Sequence, residues 1–236
     1  MDEKVENRFF LIIKKDKISF TIFDSTKGFN LIKEISIDDY SIEKIYHSLE
    51  AFLDKNFFTI EKNLKNFVKK IYLIFENDNF FLAQSSIKYN LKKTDLKNHN
   101  QIQIRDALVN IRNEFKKYSQ DYEIIHMVIN QFIIDGVLHK YLPKDVDSEN
   151  IIIQVDFIFL HNQIIKNLKK IFSKYQISIH KILSYKYLES FNNSNHKNIT
   201  KVANDNINGL NTNEVFVAKK ILKNNGFFEK FFKFFN

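Results

Sequence analysis

Cysteine is missing from the 236-residue chain, tryptophan is missing too, and glycine and proline number only 4 and 1. Without cysteine there are no disulfides, thiolate zinc sites, iron–sulfur clusters or thiol nucleophiles. With so little glycine and proline, collagen-like and Pro- or Gly-rich low-complexity classes are excluded, and a glycine-rich phosphate cradle has little to be built from. Arginine is confined to Arg8, Arg105 and Arg112. No apolar run is long enough to span a bilayer: Ile151 to Leu160 is the most apolar stretch, and Gln154 and Asp156 interrupt it. The first residues, Met1-Asp2-Glu3-Lys4, lack the basic-then-apolar order of a signal peptide, so a cytoplasmic location is expected.

What is present is a globular composition, 44% hydrophobic and 27% charged, with 25 phenylalanines. Lys, Asn, Ile and Phe recur throughout, as an A/T-rich genome would favour, and this bias alone accounts for much of the net charge of +8. Half of that excess lies from Asn192 onward, where seven lysines face three acids. Such a segment suits an anionic surface.

Short apolar runs at Arg8 to Ile13 and Ile18 to Phe23, separated by Lys14-Lys15-Asp16-Lys17, predict a β-hairpin. A third strand is expected over Asn30 to Ile37. Ile42, Ile45, Leu49, Phe52 and Leu53 share a helical face that Asp39 or Ser41 can cap. Ile71 to Phe75 and Phe80 to Ile87 read as a strand pair turned at Asn77-Asp78-Asn79. A helical stripe follows at Ile104, Leu108, Ile111, Phe115 and Tyr118. Strands are expected at Glu123 to Ile134 and Ile151 to Leu160, joined through Pro143. A helix capped by Asn162 with its lysines in solvent comes next, then a strand from Ile177 to Leu183. This order predicts an α+β or α/β layered domain. Asn192 to Asn213 reads as a flexible linker, with a short helix starting at Thr212 or Asn213.

The final stretch, Gly226 to Phe235, has the sharpest pattern. At about 100° per residue, Phe227, Phe228, Phe231, Phe232, Phe234 and Phe235 fill one arc of roughly 160°. Glu229, Lys230 and Lys233 take the opposite side. An amphipathic helix of this kind, at the end of a tether, is expected to lie in a membrane surface, with Lys230 and Lys233 facing anionic lipid.

Chemistry-bearing motifs are few. There is no phosphate-loop, His-Glu-x-x-His or nucleophile-elbow pattern, and the seven histidines have no metal-ligand spacing. No catalytic, cofactor or metal residues are assigned. Asp135-Gly136 reads as a turn with Gly136 at an unusual backbone angle.

One dodecapeptide carries a family resemblance. Ile125-His126-Met127-Val128-Ile129-Asn130-Gln131-Phe132-Ile133-Ile134-Asp135-Gly136 resembles a strand in the inserted subdomain of the bacterial cell-division protein FtsA family. His126, Phe132, Ile134, Asp135 and Gly136 match its motif, while Asn130 replaces a proline. Val155 to Leu183 resembles the family's next strand, helix and strand, Val68 to Ser85 its preceding strands, and Phe9 to Phe23 the opening hairpin of the actin-like fold. The resemblance implies an α+β chain in four parts. Residues 1–66 form a partial actin-like first subdomain, 67–191 the inserted interaction subdomain, 192–225 a linker, and 226–236 a membrane-targeting helix. It also implies a non-enzymatic membrane adaptor of the divisome, placed on the cytoplasmic face of the inner membrane at the septum. The partners implied are an anionic membrane surface, downstream division proteins or a full-length FtsA, and further copies of itself.

The departures matter. The family's Asp-x-Gly-(Ser/Thr) phosphate loop has no counterpart at Lys14-Lys15-Asp16-Lys17. The second nucleotide-binding half, with its Asp-x-Gly-Gly-Gly segment, is absent, as is the subdomain that holds the FtsZ tail. No ATP site is carried over and FtsZ binding is not implied. A basic nucleic-acid-binding module and an actin-like ATPase are the competing readings. Against the first stand the scarcity of arginine and the core-facing positions of most aromatics; against the second, the missing loops.

Overall fold

The computed structural model describes residues 7–24, 28–37, 41–90, 99–143, 150–191 and 198–215. The chain is α+β, with two sheets. The first is five-stranded, in the order β3-β2-β1-β4-β9, and the second four-stranded, in the order β5-β8-β6-β7.

The opening hairpin is β1 (Arg8–Ile13) and β2 (Lys17–Asp24), antiparallel and closed by Lys14 N–H on the Lys17 carbonyl at 2.8 Å. β3 (Gly28–Ser36) continues the antiparallel meander, and α1 (Ile42–Leu64) crosses over to β4 (Lys70–Phe75), which pairs in parallel with β1. Ser41 is the residue that caps α1, accepting from Lys44 N–H; Asp39 lies outside the described residues. Hairpin, third strand and helix stand where the apolar pattern predicts them.

β1 is apolar almost without alternation because both faces of this sheet are covered. Phe9, Leu11 and Ile13 turn toward α1 and α3 (Asn162–Ser173), in a core with Leu49, Phe52 and Leu168. Phe10 and Ile12 turn the other way, toward α4 (Tyr185–Glu189) and α5 (Ile199–Ile207), in a core with Leu188, Val202 and Ala203.

The second sheet is β5 (Phe81–Asn90), β6 (Tyr122–Ile134), β7 (Val137–His139) and β8 (Asn150–His161). Its covering helix is α2 (His99–Tyr118). On β8 the odd positions Ile151, Ile153, Val155, Phe157 and Phe159 face α2, and the Phe115 ring lies tilted against Phe157 at 4.4 Å between ring centroids. Tyr118, expected in the helical stripe, is 77% exposed at the helix end.

Several expectations are corrected. β4 and β5 do not pair: β4 is flanked on both edges, by β1 and by β9 (Ser178–Ser184), so the Asn77–Asn79 turn passes the chain from one sheet to the other. β4, α3 and β9 therefore belong to the first layer, and β5, α2, β6, β7 and β8 to the second. His161, not Asn162, caps α3: its Nδ1 accepts Gln163 N–H, while Asn162 donates through its side chain to the Gln120 carbonyl. The largest revision concerns the linker. Residues 198–215 are folded onto the body. Asn198 caps α5, whose Ile199, Val202, Ala203 and Ile207 recur at helical spacing on the α4 side. No helix begins at Thr212 or Asn213, which lie in a turn. Residues 192–197 of the linker and the tail from 216 lie outside the described residues.

Candidate functional site at the junction of the two sheets

β6 carries the dodecapeptide, and its residues serve two different ends. Phe132 and Ile134 are buried beneath α2. Asp135 and Gly136 have φ of +50° and +81° and form the two-residue turn into β7, pairing Ile134 with Val137. Consecutive positive φ values are what glycine tolerates and aspartate can adopt.

His126 sits where β6 shifts register against β8, and its side chain is fully buried. Nδ1 lies 2.9 Å from Glu214 Oε1, and Nε2 lies 3.1 Å from the Ser184 amide nitrogen at the end of β9. A backbone N–H can only donate, so Nε2 is the acceptor and the proton is on Nδ1, donated to Glu214. The ring is thus neutral and the carboxylate ionised. Lys181 Nζ, on β9, is 3.2 Å from the same Oε1. Tyr187 Oη, on α4, donates to Oε2 at 3.0 Å, and Asn211 Nδ2 donates to that hydroxyl at 2.8 Å. The His126 and Tyr187 rings are 4.1 Å apart.

Glu214 reaches this place because its own segment adds to the sheet. β7 covers the edge of β6 at residues 132–134, and residues 213–215 cover the same edge further along. Ile129 N–H donates to the Asn213 carbonyl and Val215 N–H to the Met127 carbonyl, both at 2.8 Å, bridging Val128 to Glu214. Asn213 Nδ2 also holds the Lys140 carbonyl, at 3.2 Å. One carboxylate thereby joins β6 of the second sheet, β9 and α4 of the first, and the chain leading to the tail.

The electrostatics follow from burial and pairing. Burial pushes the His126 pKa down, which outweighs the pull of Glu214. For Glu214 burial acts upward, but the hydrogen bond from His126 and the Lys181 ammonium hold the carboxyl below its usual range. Burial pushes Lys181 down, and burial with the Glu214 charge pushes Tyr187 up. Both acid-range groups give the same sign. Unfolded His126 takes up a proton below about pH 6.5 that the folded ring refuses. Unfolded Glu214 takes one up near about pH 4.3, with the folded carboxylate following only lower. The urea midpoint is therefore expected to hold above neutrality and to fall progressively from about pH 6.5 to about pH 4. A midpoint flat across that span contradicts the neutral-His, ionised-Glu assignment.

The sequence reading brings His126 to this site but misses Lys181, Ser184, Tyr187, Asn211 and Glu214. The spacing of Ile199, Val202, Ala203 and Ile207 after Asn198 signals α5; nothing local signals Glu214. The six phenylalanines of 227–235 with Lys230 and Lys233 lie outside the described residues. At the turn between β1 and β2, Lys15 N–H donates to Glu76 Oε2 at 3.1 Å, and its ammonium pairs with Asp78 at 3.0 Å. A groove of about 700 Å³ lies elsewhere, between the C-terminal ends of α1 and α3. Three polar pairs flank it: Tyr175 with Asp54, Lys174 with Glu50, and Glu61 with Val68 N–H. Among the described residues no three His, Asp or Glu side chains stand together as metal ligands, and no helix is long and apolar enough to cross a membrane.

No family model matches this sequence, and no curated protein matches it. Solved structures do resemble it. The cytoplasmic domain of EpsL, an inner-membrane component of the type II secretion system of Vibrio cholerae, is 8% identical over 78% of this chain and 59% of its own, with a TM-score of 0.37. A Bacteroides thetaiotaomicron protein with an actin-like ATPase fold and unknown function is 12% identical over 81% and 58%, with a TM-score of 0.37. The PilM–PilN type IV pilus biogenesis complex is 8% identical over 78% and 49%, with a TM-score of 0.43. Each score is below 0.5, and the chain spans 49% to 59% of the matched chains.

Proposed function

We propose that the chain is a non-enzymatic adaptor of the bacterial division machinery, a reduced relative of FtsA, held at the cytoplasmic face of the inner membrane by residues 227–235. The observation that carries this reading is the anchoring of the C-terminal segment. Residues 213–215 are strand-paired to β6 and Glu214 is bonded into the junction, so the phenylalanine-rich tail leaves from a fixed point on a rigid body. A tail that only needed to trail in solvent would require no such attachment. The dodecapeptide that carries the resemblance forms the same strand, β6, and the four-stranded sheet around it supplies the surface for protein partners.

Flotation with vesicles of equal parts phosphatidylcholine and phosphatidylglycerol tests the anchor. The intact chain is expected to float, and a chain ending at Asn225 to remain at the bottom. If neither floats, the membrane role falls. A fluorescent fusion tests the division role: it is expected to gather at mid-cell before constriction, and a fusion that stays diffuse through the cycle removes that assignment.

A further inference from the structure

We infer that the β6–β7 hairpin is a second lipid-contacting element, which seats the body on the membrane with this end of the second sheet toward the bilayer. The inference rests on the membrane reading of the tail and adds an orientation to it. Val137, Leu138 and Tyr141 are 57%, 62% and 58% exposed within five residues of one hairpin. The intervening Lys140 places its ammonium 5.7 Å from the Tyr141 ring centre. Aliphatic side chains beside a tyrosine and a lysine are the composition of an interfacial segment: the ring sits at headgroup depth and the ammonium stays in water. The turn beneath them is fixed by Asp135 and Gly136, so the apolar side chains are presented without a large ordering cost on contact.

The position of the tail supplies the occupant. Asn213 holds the Lys140 carbonyl, and Val215 and Leu142 both pack against the core under α2, so the described chain ends at Val215 near this hairpin. The eleven residues 216–226 can extend at most about 40 Å. Whenever residues 227–235 lie in a bilayer, Val215 and the hairpin are within that distance of it. The other strongly exposed phenylalanines, Phe58 and Phe67, lie on the first layer beside the far end of α1 and serve as the contrast. Charge divides the labour. Residues 135–149 hold Lys140 and Lys144 against Asp135, Asp145, Asp147 and Glu149, a net −2 that anionic lipid does not attract, so the attraction the hairpin supplies comes from its uncharged side chains. The tail's lysines supply the electrostatic part.

Because the chain has no cysteine, single labels are unambiguous. Full-length Leu138→Cys and Phe58→Cys, each carrying an environment-sensitive fluorophore, are mixed with the phosphatidylcholine–phosphatidylglycerol vesicles while flotation is followed in parallel. The label at 138 is expected to shift to the blue and lose access to an aqueous quencher, while the label at 58 keeps both properties. The unlabelled Leu138→Ser/Tyr141→Ser chain is expected to bind vesicles about tenfold more weakly, by the same factor at low and high salt. Flotation with no change at 138 overturns the hairpin contact while leaving the tail anchor standing. Equal responses at 138 and 58 overturn the orientation. Failure of every variant to float removes the membrane reading and the hairpin contact together.

Discussion

Replacing Glu214 by alanine is expected to lower the unfolding free energy by about 3–5 kcal/mol, the cost typical of breaking a buried ion pair from one side. The side chain is 2% exposed and takes hydrogen bonds from His126, Lys181 and Tyr187. Without it the His126 Nδ1–H and the Tyr187 hydroxyl each lose a buried acceptor, and the largely buried Lys181 loses its counter-charge. A folded domain has about 5–15 kcal/mol in total, so this is a large fraction. Glutamine in its place keeps an acceptor for His126 but not the charge, and is expected to cost about 1–3 kcal/mol. Urea midpoints give both values. Limited proteolysis gives the local readout: cleavage within 198–215 should become fast in the alanine chain under conditions where the sheets remain folded, because this segment is attached through that carboxylate. An alanine chain within about 0.5 kcal/mol of wild type, as for an ordinary surface site, overturns the account of the junction.

The parts of this fold visible in the sequence are those specified locally. The β1–β2 hairpin declares itself by two apolar runs around four polar residues. α1 declares itself by the spacing of Ile45, Leu49, Phe52 and Leu53, and the turn after β6 by Asp135-Gly136. What stayed hidden is set by distant partners. An apolar run such as Ile71 to Phe75 announces a strand but not its neighbours, and β4 finds them in β1 and in β9, over a hundred residues later. α5 is obscured because asparagine favours turns over helix interiors, so its composition reads as a linker. Tertiary structure uses Asn204, which accepts from Arg8, while Asn206 is fully buried. The junction shows the same limit at a single residue. The dodecapeptide marks His126, but the meaning of that histidine depends on Glu214, 88 positions away in a run of polar residues.

Two truncations separate a packed segment from a tether, and they are expected to behave in opposite ways. A chain ending at Phe191 loses α5 and residues 213–215. Phe10, Ile74, Leu183 and Leu188 then lose the cover of Val202 and Ala203, at about 1.5–3 kcal/mol for each large side chain returned to water. The β6 edge at residues 127–129 loses its strand partner, and Arg8 loses Asn204 and Asn208. Even two such side chains re-exposed remove about 3–6 kcal/mol, enough to leave a marginal domain aggregating or unfolded at room temperature. A chain ending at Asn225 keeps all of these contacts and is expected to melt within about 2 °C of the intact protein, since no described contact is removed. Thermal denaturation followed by circular dichroism distinguishes the cases. A stable, cooperative chain ending at Phe191 would mean that the segment is a linker after all and that the tail has no fixed point of departure. Collapse of that chain beside an undisturbed one ending at Asn225 places the end of the body between Phe191 and Asn225, the span that holds α5 and residues 213–215. On that result, loss of vesicle binding in the Asn225 chain reports on residues 226–236 alone, phenylalanines and lysines together, because the body that carried them is intact.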